Sequence, residues 1–251
     1  MTRRDLVYLL GGGTMAAALP GIRSTTGSPP RFRAVAFDAF AILDPTPILG
    51  RAEALFPRRG AALVAAWRAR QFEYCWLRAL SGRYADFWQI TRDALRFSAA
   101  ALRLALSARG EEELMQAHVE LPAWPDAPRA LGELHAAGVQ LGFLSNFTPD
   151  MLRAGVRSAG LGSVMTRLLS TDAVQTYKPD PLAYKLAEDA FGLPRRDILF
   201  VAFAGWDAAG AKWYGYPTFW ANRLDAPTEE LAAKPDAVQS DLAGVARFVA
   251  E

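Results

Sequence analysis

Cysteine occurs once in these 251 residues, at Cys75. A single thiol allows no intramolecular disulfide and no cysteine-based zinc site. Histidine is nearly as scarce, and His118 and His135 both fall in helical patterns away from any motif. A histidine triad or histidine metal cluster therefore lacks material. Lysine occurs only at 178, 185, 212 and 234, so arginine carries nearly all the positive charge. The formal net charge of +2 leaves no electrostatic footprint for nucleic acid. There is no internal repeat, and no low-complexity tract beyond a polar stretch at 23–31.

What is present suits a globular protein. The chain is 51% hydrophobic and 22% charged, enough to build a core without disulfides or metals. Its first residues, MTRRDLVYLLGGGTMAAALPG, pair Arg3 with Arg4 before an apolar stretch from Leu6 to Leu19. This reads as an export signal of the twin-arginine type. The stretch is too short and glycine-rich for a comfortable membrane span. The expectation is a periplasmic or secreted protein with no stable membrane association after signal removal. A cytoplasmic location follows instead if the start is mis-called. RSTTGSPPR then reads as a linker, so signal and linker occupy residues 1–30.

FRAVAFDAF is a short, continuously apolar run ending near Asp38, as suits a strand buried on both faces. Residues 45–122 show no strand pattern and predict helices over about 58–80, 84–107 and 110–119. Within WRARQFEYCWLRAL, helical spacing puts Trp67, Arg68, Phe72, Cys75 and Trp76 on neighbouring faces. From Pro125 onward strands and helices alternate, with VQLGFLSN, VMTRLLST, DILFVAF and PTFWANR as the strands. Such alternation predicts an α/β fold with a doubly wound parallel, Rossmann-like sheet. The core is then 31–44 plus 123–251, and 45–122 is a helical cap inserted after the first strand.

Ligands in open parallel sheets bind beyond the carboxyl ends of the strands. Those ends present Asp38, then Ser145 and Asn146, then Asp207, with Lys178 in the loop YKPDP. A desolvated carboxylate can attack a carbon or phosphorus centre and form an ester. A nearby ammonium such as Lys178 would keep Asp38 ionised. Asp207 could hold that lysine, Ser145 and Asn146 could bind an anionic group, and Arg68 could reach down from the cap toward a carboxylate or leaving anion. Taken singly, several of these have plainer explanations: a solvated helical arginine at 68, a helix-terminal acid at 207, a packing tyrosine at 184. A carboxylate closing a buried apolar strand, as at Asp38, is harder to explain that way.

These residues and their order resemble the haloacid dehalogenase superfamily, and within it the L-2-haloacid dehalogenases. The resemblance runs over roughly residues 33–250. It is carried by AVAFDAF, WRARQFEYCWLRALSGRYADFW, LSNFTP, VQTYKPDPLAYKLA and WDAAGAKWYGYPTFWANR. It implies hydrolysis of short L-2-halocarboxylic acids without metal or other cofactor. By position, Asp38 is the nucleophile, Lys178 its charge partner and Arg68 the cap arginine near halide or carboxylate. Ser145 and Asn146 bind substrate. Tyr184 and Asp207 support the site, Tyr184 from among the substrate-contacting groups. Phe72, Phe87 and Trp206 form the apolar pocket. The family also implies a homodimer.

Two motifs depart from the family. Its D-x-Y-G-T is here Asp38-Ala39-Phe40-Ala41-Ile42, and its S-S-N-x-W-D is Ala202-Phe203-Ala204-Gly205-Trp206-Asp207. Three readings therefore stand at this point: a dehalogenase with an altered site, a catalytically impaired relative that binds a small carboxylate, and a magnesium-dependent phosphatase on the same fold. The phosphatase is disfavoured because Phe40 stands where such enzymes carry a second aspartate.

Overall fold

The computed structural model describes residues 30–250. The export signal expected at the N-terminus lies outside the described residues. Six strands form one parallel sheet: β1 (Ala34–Phe37), β2 (Gln140–Ser145), β3 (Arg167–Ser170), β4 (Ile198–Ala202), β5 (Thr218–Ala221) and β6 (Ala237–Gln239). Their spatial order is β3-β2-β1-β4-β5-β6. From β1 the sheet grows through β2 and β3 on one side and through β4, β5 and β6 on the other. The strand order therefore reverses between β1 and β4, where open sheets of this type form a ligand crevice.

The apolar strands are explained by burial on two faces. Val35 and Phe37 of β1 pack into one core cluster, while Ala34 and Ala36 pack into a second on the opposite face. β4 alternates in the same way, with Leu199 and Val201 on the first side and Ile198, Phe200 and Ala202 on the other. The first face is covered by α6 (Ala127–Ala136), α7 (Pro149–Ser158) and α10 (Val245–Ala250), and the second by α8 (Pro181–Phe191) and α9 (Gly205–Tyr214). Two glycines permit close approach. A Cβ on Gly142 would lie 2.9 Å from the Arg167 side chain, and one on Gly210 would lie 2.5 Å from the Tyr184 hydroxyl.

Asp38 caps the short helix α1 (Ala39–Ile42). The chain then makes four helices: α2 (Thr46–Leu55), α3 (Gly60–Leu80), α4 (Phe87–Ala101) and α5 (Ala108–Gln116). Its exit and return lie side by side. Asp44 N–H donates to Pro122 O at 2.8 Å, and Trp124 N–H donates to Ile42 O at 2.9 Å.

The helix expectations for this region need correction. α2 has no counterpart among the expected helices; its Pro47 sits in the first turn, where a missing N–H costs nothing. The helix expected over 84–107 starts after the Asp86 cap, whose carboxylate accepts from Gln89 N–H, and ends at Leu102. Arg103 then turns the chain with a φ of 54°. Ser107 caps α5 by accepting from Gly110 N–H, two residues earlier than the spacing suggested. No described helix is long and apolar enough to cross a membrane.

Candidate active site

The cap delivers side chains to the core through one helix. In α3, Leu63, Trp67, Gln71 and Cys75 repeat every four residues and are buried. The adjoining row, Arg68, Phe72 and Trp76, points down onto the sheet edge. Phe72 meets Trp206 edge-on with ring centroids 5.0 Å apart. Trp76 also meets Trp206, at 5.5 Å, and its indole N–H donates to Lys178 O at 3.2 Å. The Arg68 guanidinium lies 4.9 Å from the Phe40 ring centre and 5.2 Å from that of Phe203. Cation–π contact of this kind holds a charge without neutralising it. Among the described residues, no carboxylate is within ion-pair distance of it.

Beneath these groups Lys178 joins two carboxylates. Its Nζ donates to Asp38 Oδ1 at 2.8 Å, to Asp207 Oδ2 at 2.6 Å and to Leu144 O at 3.2 Å. An ammonium has three hydrogens, so no donor remains for a ligand. The loop bearing Lys178 is tied at both ends. Lys178 N–H donates to Asn146 Oδ1 at 3.0 Å, and Asp180 caps α8 while accepting from the Thr176 hydroxyl at 2.9 Å. The Asp38 carboxylate receives one further bond, from Phe40 N–H to Oδ2 at 2.9 Å.

Asn146 is oriented by the same loop. A backbone N–H only donates, so the Asn146 atom facing Lys178 must be oxygen, and the amide nitrogen turns away. That Nδ2 is buried without a hydrogen-bond partner. Its two N–H hydrogens have no acceptor among the described residues, and Asn146 is one of the residues that line the cavity at Asp38. The neighbouring Ser145 hydroxyl accepts from Phe147 N–H at 3.1 Å and keeps its own hydrogen to give.

The electrostatics follow from burial and neighbours. Burial opposes the charge on Lys178, but Asp207 and Asp38 outweigh it and hold the ammonium above the ordinary lysine range. Burial pushes Asp207 up to about 6; Lys178 and the Tyr184 hydroxyl pull it down, and Asp38 pushes it further up. Burial lowers Arg68, with Asp38 opposing.

A cavity of about 20 Å³ lies here, lined by Asp38, Ser145, Asn146 and Asp207 from the core and by Arg68, Phe72, Phe87 and Trp206, with Phe40, Phe147, Phe203 and Ala204 completing the walls. Nine of the ten residues predicted from sequence therefore meet at one point, Lys178 from just beneath it. Tyr184 is the correction. It lies behind Asp207, donating its hydroxyl to Oδ1 at 2.8 Å, and does not line the cavity. Gly210 leaves the room that this hydroxyl needs. Sequence reasoning missed Phe147, which packs edge-on against Phe40 at 5.1 Å. Its position next to Asn146 in LSNFTP was the available signal. Among the described residues, no three His, Cys, Asp or Glu side chains cluster to hold a metal ion.

An aspartate ending the first strand of a parallel sheet, clamped by a lysine and a second aspartate under a helical cap, defines a class of hydrolase. Residues 30–215 match the haloacid dehalogenase-like hydrolases, and the chain belongs to that family. It is similar to the (S)-2-haloacid dehalogenase of Pseudomonas sp. strain YL, with 44% identity over 205 residues, 81% of this chain and 88% of the relative. The solved L-2-haloacid dehalogenase RSc1362 superposes with a TM-score of 0.86 at 44% identity, over 88% of this chain and 99% of that one. The Xanthobacter autotrophicus L-2-haloacid dehalogenase with chloropropionic acid covalently bound superposes with a TM-score of 0.80 at 35% identity, covering 87% and 98%.

Proposed function

We propose that this chain hydrolyses the carbon–halogen bond of L-2-haloalkanoic acids through an ester on Asp38. The observation that carries this reading is the Asp38–Lys178–Asp207 clamp beneath a cavity lined by Arg68, which has no ion-pair partner among the described residues. Lys178 saturates Asp38 Oδ1, while Oδ2 holds a single neutral hydrogen bond and is the freer nucleophile. The Ser145 hydroxyl and Asn146 amide bind the substrate carboxylate. Asp38 Oδ2 bonds to C2, and the carbon–halogen bond breaks with its electron pair leaving as halide toward Arg68. Water then adds to the Asp38 carboxyl carbon. Lys178 stabilises the oxyanion that forms on Oδ1. Collapse releases the 2-hydroxy acid with the former Asp38 oxygen, which takes one proton of the water while the other passes to solvent, and Asp38 keeps the oxygen of the water. Attack opposite the leaving group inverts C2.

The test is L-2-chloropropionate in ¹⁸O-labelled water, reading halide and the mass of the Asp38 peptide. The expected result is halide release with label entering Asp38, and neither in Asp38→Asn. Label entering only the product 2-hydroxy acid would show direct attack by water and sink the ester.

The clamp also sets a pH dependence. Asp207 must be ionised to hold Lys178, and its value of about 6 lies above the ordinary carboxylate range. Proton uptake below about pH 6 therefore removes activity that is present above it. The expected profile of kcat falls about tenfold per pH unit on the acid side. Asp207→Asn, which carries no titrating proton, should flatten that limb at a low rate; a limb that persists unchanged would assign it to another group.

A further inference from the structure

A second cavity lies against the first and is much larger, about 180 Å³. Phe40, Arg68 and Phe203 line both cavities. The partition is therefore made of side chains, and its cationic member is held by ring faces rather than by hydrogen bonds among the described residues. Ile48, Val64 and Trp67 give the larger chamber apolar walls, and it opens at the seam between cap and core beside the exposed Leu49 and Leu224.

We propose that this chamber binds the alkyl chain of 2-haloalkanoic acids longer than propionate, with Val64 as a specificity-determining residue and Arg68 as the movable partition. The inference rests on the dehalogenase reading and names its substrate class. The cavity of about 20 Å³ at Asp38 has room for little more than one water, so an alkyl chain needs space elsewhere, and the chamber supplies it on the far side of the Phe40, Arg68 and Phe203 side chains.

The competing use, an exit for halide, is opposed by the chamber's polar groups. His118 Nδ1 lies 3.2 Å from Leu114 O, which only accepts, so Nδ1 carries the hydrogen and Nε2 is a bare acceptor. Burial holds this ring down at about 4, so it stays neutral. Gln71 Nε2 donates to the Thr91 hydroxyl at 2.6 Å, and that hydroxyl gives its own hydrogen to Phe87 O at 2.6 Å. Gln71 therefore also has its carbonyl oxygen left over. Beyond Arg68, which stands at the partition, the chamber therefore offers two acceptors, which repel an anion and tolerate a neutral chain.

The experiment compares kcat/KM for L-2-chloropropionate, L-2-chlorobutanoate and L-2-chlorohexanoate, using the full chain. Transfer of each methylene from water to an apolar wall gives about a fourfold gain, the equivalent of about 0.8 kcal/mol. The expected result is a rise with chain length, and a fall of about tenfold or more in the hexanoate-to-propionate ratio for Val64→Phe, which fills the chamber. Val64→Ala, which enlarges it, should raise the ratio above that of the parent and covers the case in which the phenylalanine variant does not fold. A ratio near one in the parent, or one that neither variant moves, overturns the proposal while leaving the dehalogenase reading intact. Calorimetry with unhalogenated hexanoate separates the two. Binding that Val64→Phe removes, with no halide released from any acid, would keep the chamber and discard the dehalogenase reading.

Discussion

Replacing Lys178 by methionine is expected to cost about 3–5 kcal/mol of unfolding free energy and to end halide release. The figure is that for leaving a buried charge without its partner. Lys178 is 1% exposed, between carboxylates whose side chains are 14% (Asp38) and 2% (Asp207) exposed. Without the ammonium, two largely buried carboxylates are left without the charge that lies between them. One will take up a proton, so its folded-state value rises above its unfolded value. The destabilisation is then fully present above that raised value and is relieved as pH falls through it. Urea melts of the variant at pH 7.5 and pH 5 measure this, and its deficit against the parent should shrink at the lower pH. Adding Asp207→Asn to Lys178→Met should recover part of the loss at pH 7.5, because only one carboxylate remains to be buried. Equal deficits at both pH values, with no recovery in the double variant, would mean that Lys178 contributes through packing alone.

The second large effect concerns the water step. Positions 42, 202 and 204 carry Ile, Ala and Ala where the family pattern has Thr, Ser and Asn. Ile42 and Ala202 are fully buried in apolar surroundings. Among the described residues, the Asp38 and Asp207 side chains consequently keep only the bonds from Lys178, Phe40 N–H and Tyr184. A hydrogen bond to a charged group is worth roughly 1.5–3 kcal/mol, so the loss of several slows ester hydrolysis more than displacement, which needs only the nucleophile, the clamp and Arg68. Rapid-quench measurements should show a burst of one halide per chain, then slow turnover, with the adduct mass accumulating on Asp38. Ala204→Asn tests the cause. Ala204 lines the cavity and starts α9 without a side-chain cap. Asparagine there should accelerate the slow phase by about tenfold or more, the rate equivalent of one such bond. It should also stabilise α9 by about 1 kcal/mol as a cap. Halide release that is linear from the first turnover would show that hydrolysis is not the slow step.

Much of this site could be read before any coordinates. Asp38, Ser145 and Asn146 follow apolar strands, and the end of a parallel strand is where chain direction alone puts a ligand. Phe72 and Trp76 sit four residues apart, which on a helix is one face. The exceptions share a cause. Tyr184 belongs to the same helix pattern that suggested it, but whether its hydroxyl enters the cavity or backs Asp207 depends on Gly210 of a neighbouring helix. The helix α2, absent from the expected set, carries Pro47 and Gly50, residues that break a helix in its middle and are harmless near its start or on an exposed face.

By itself, then, the sequence determined the parallel sheet, the inserted helices and the identity of the charged groups, because strand period, helix period and chain direction are local properties. Tertiary structure alone decided that Lys178 spends all three hydrogens on Asp38, Asp207 and Leu144. It also decided that Arg68 stands between a small cavity and a large one, with no ion-pair partner among the described residues. Hydrogen-bond saturation and the division of empty space both depend on segments far apart in the chain, and no pattern along the chain encodes how closely such segments meet.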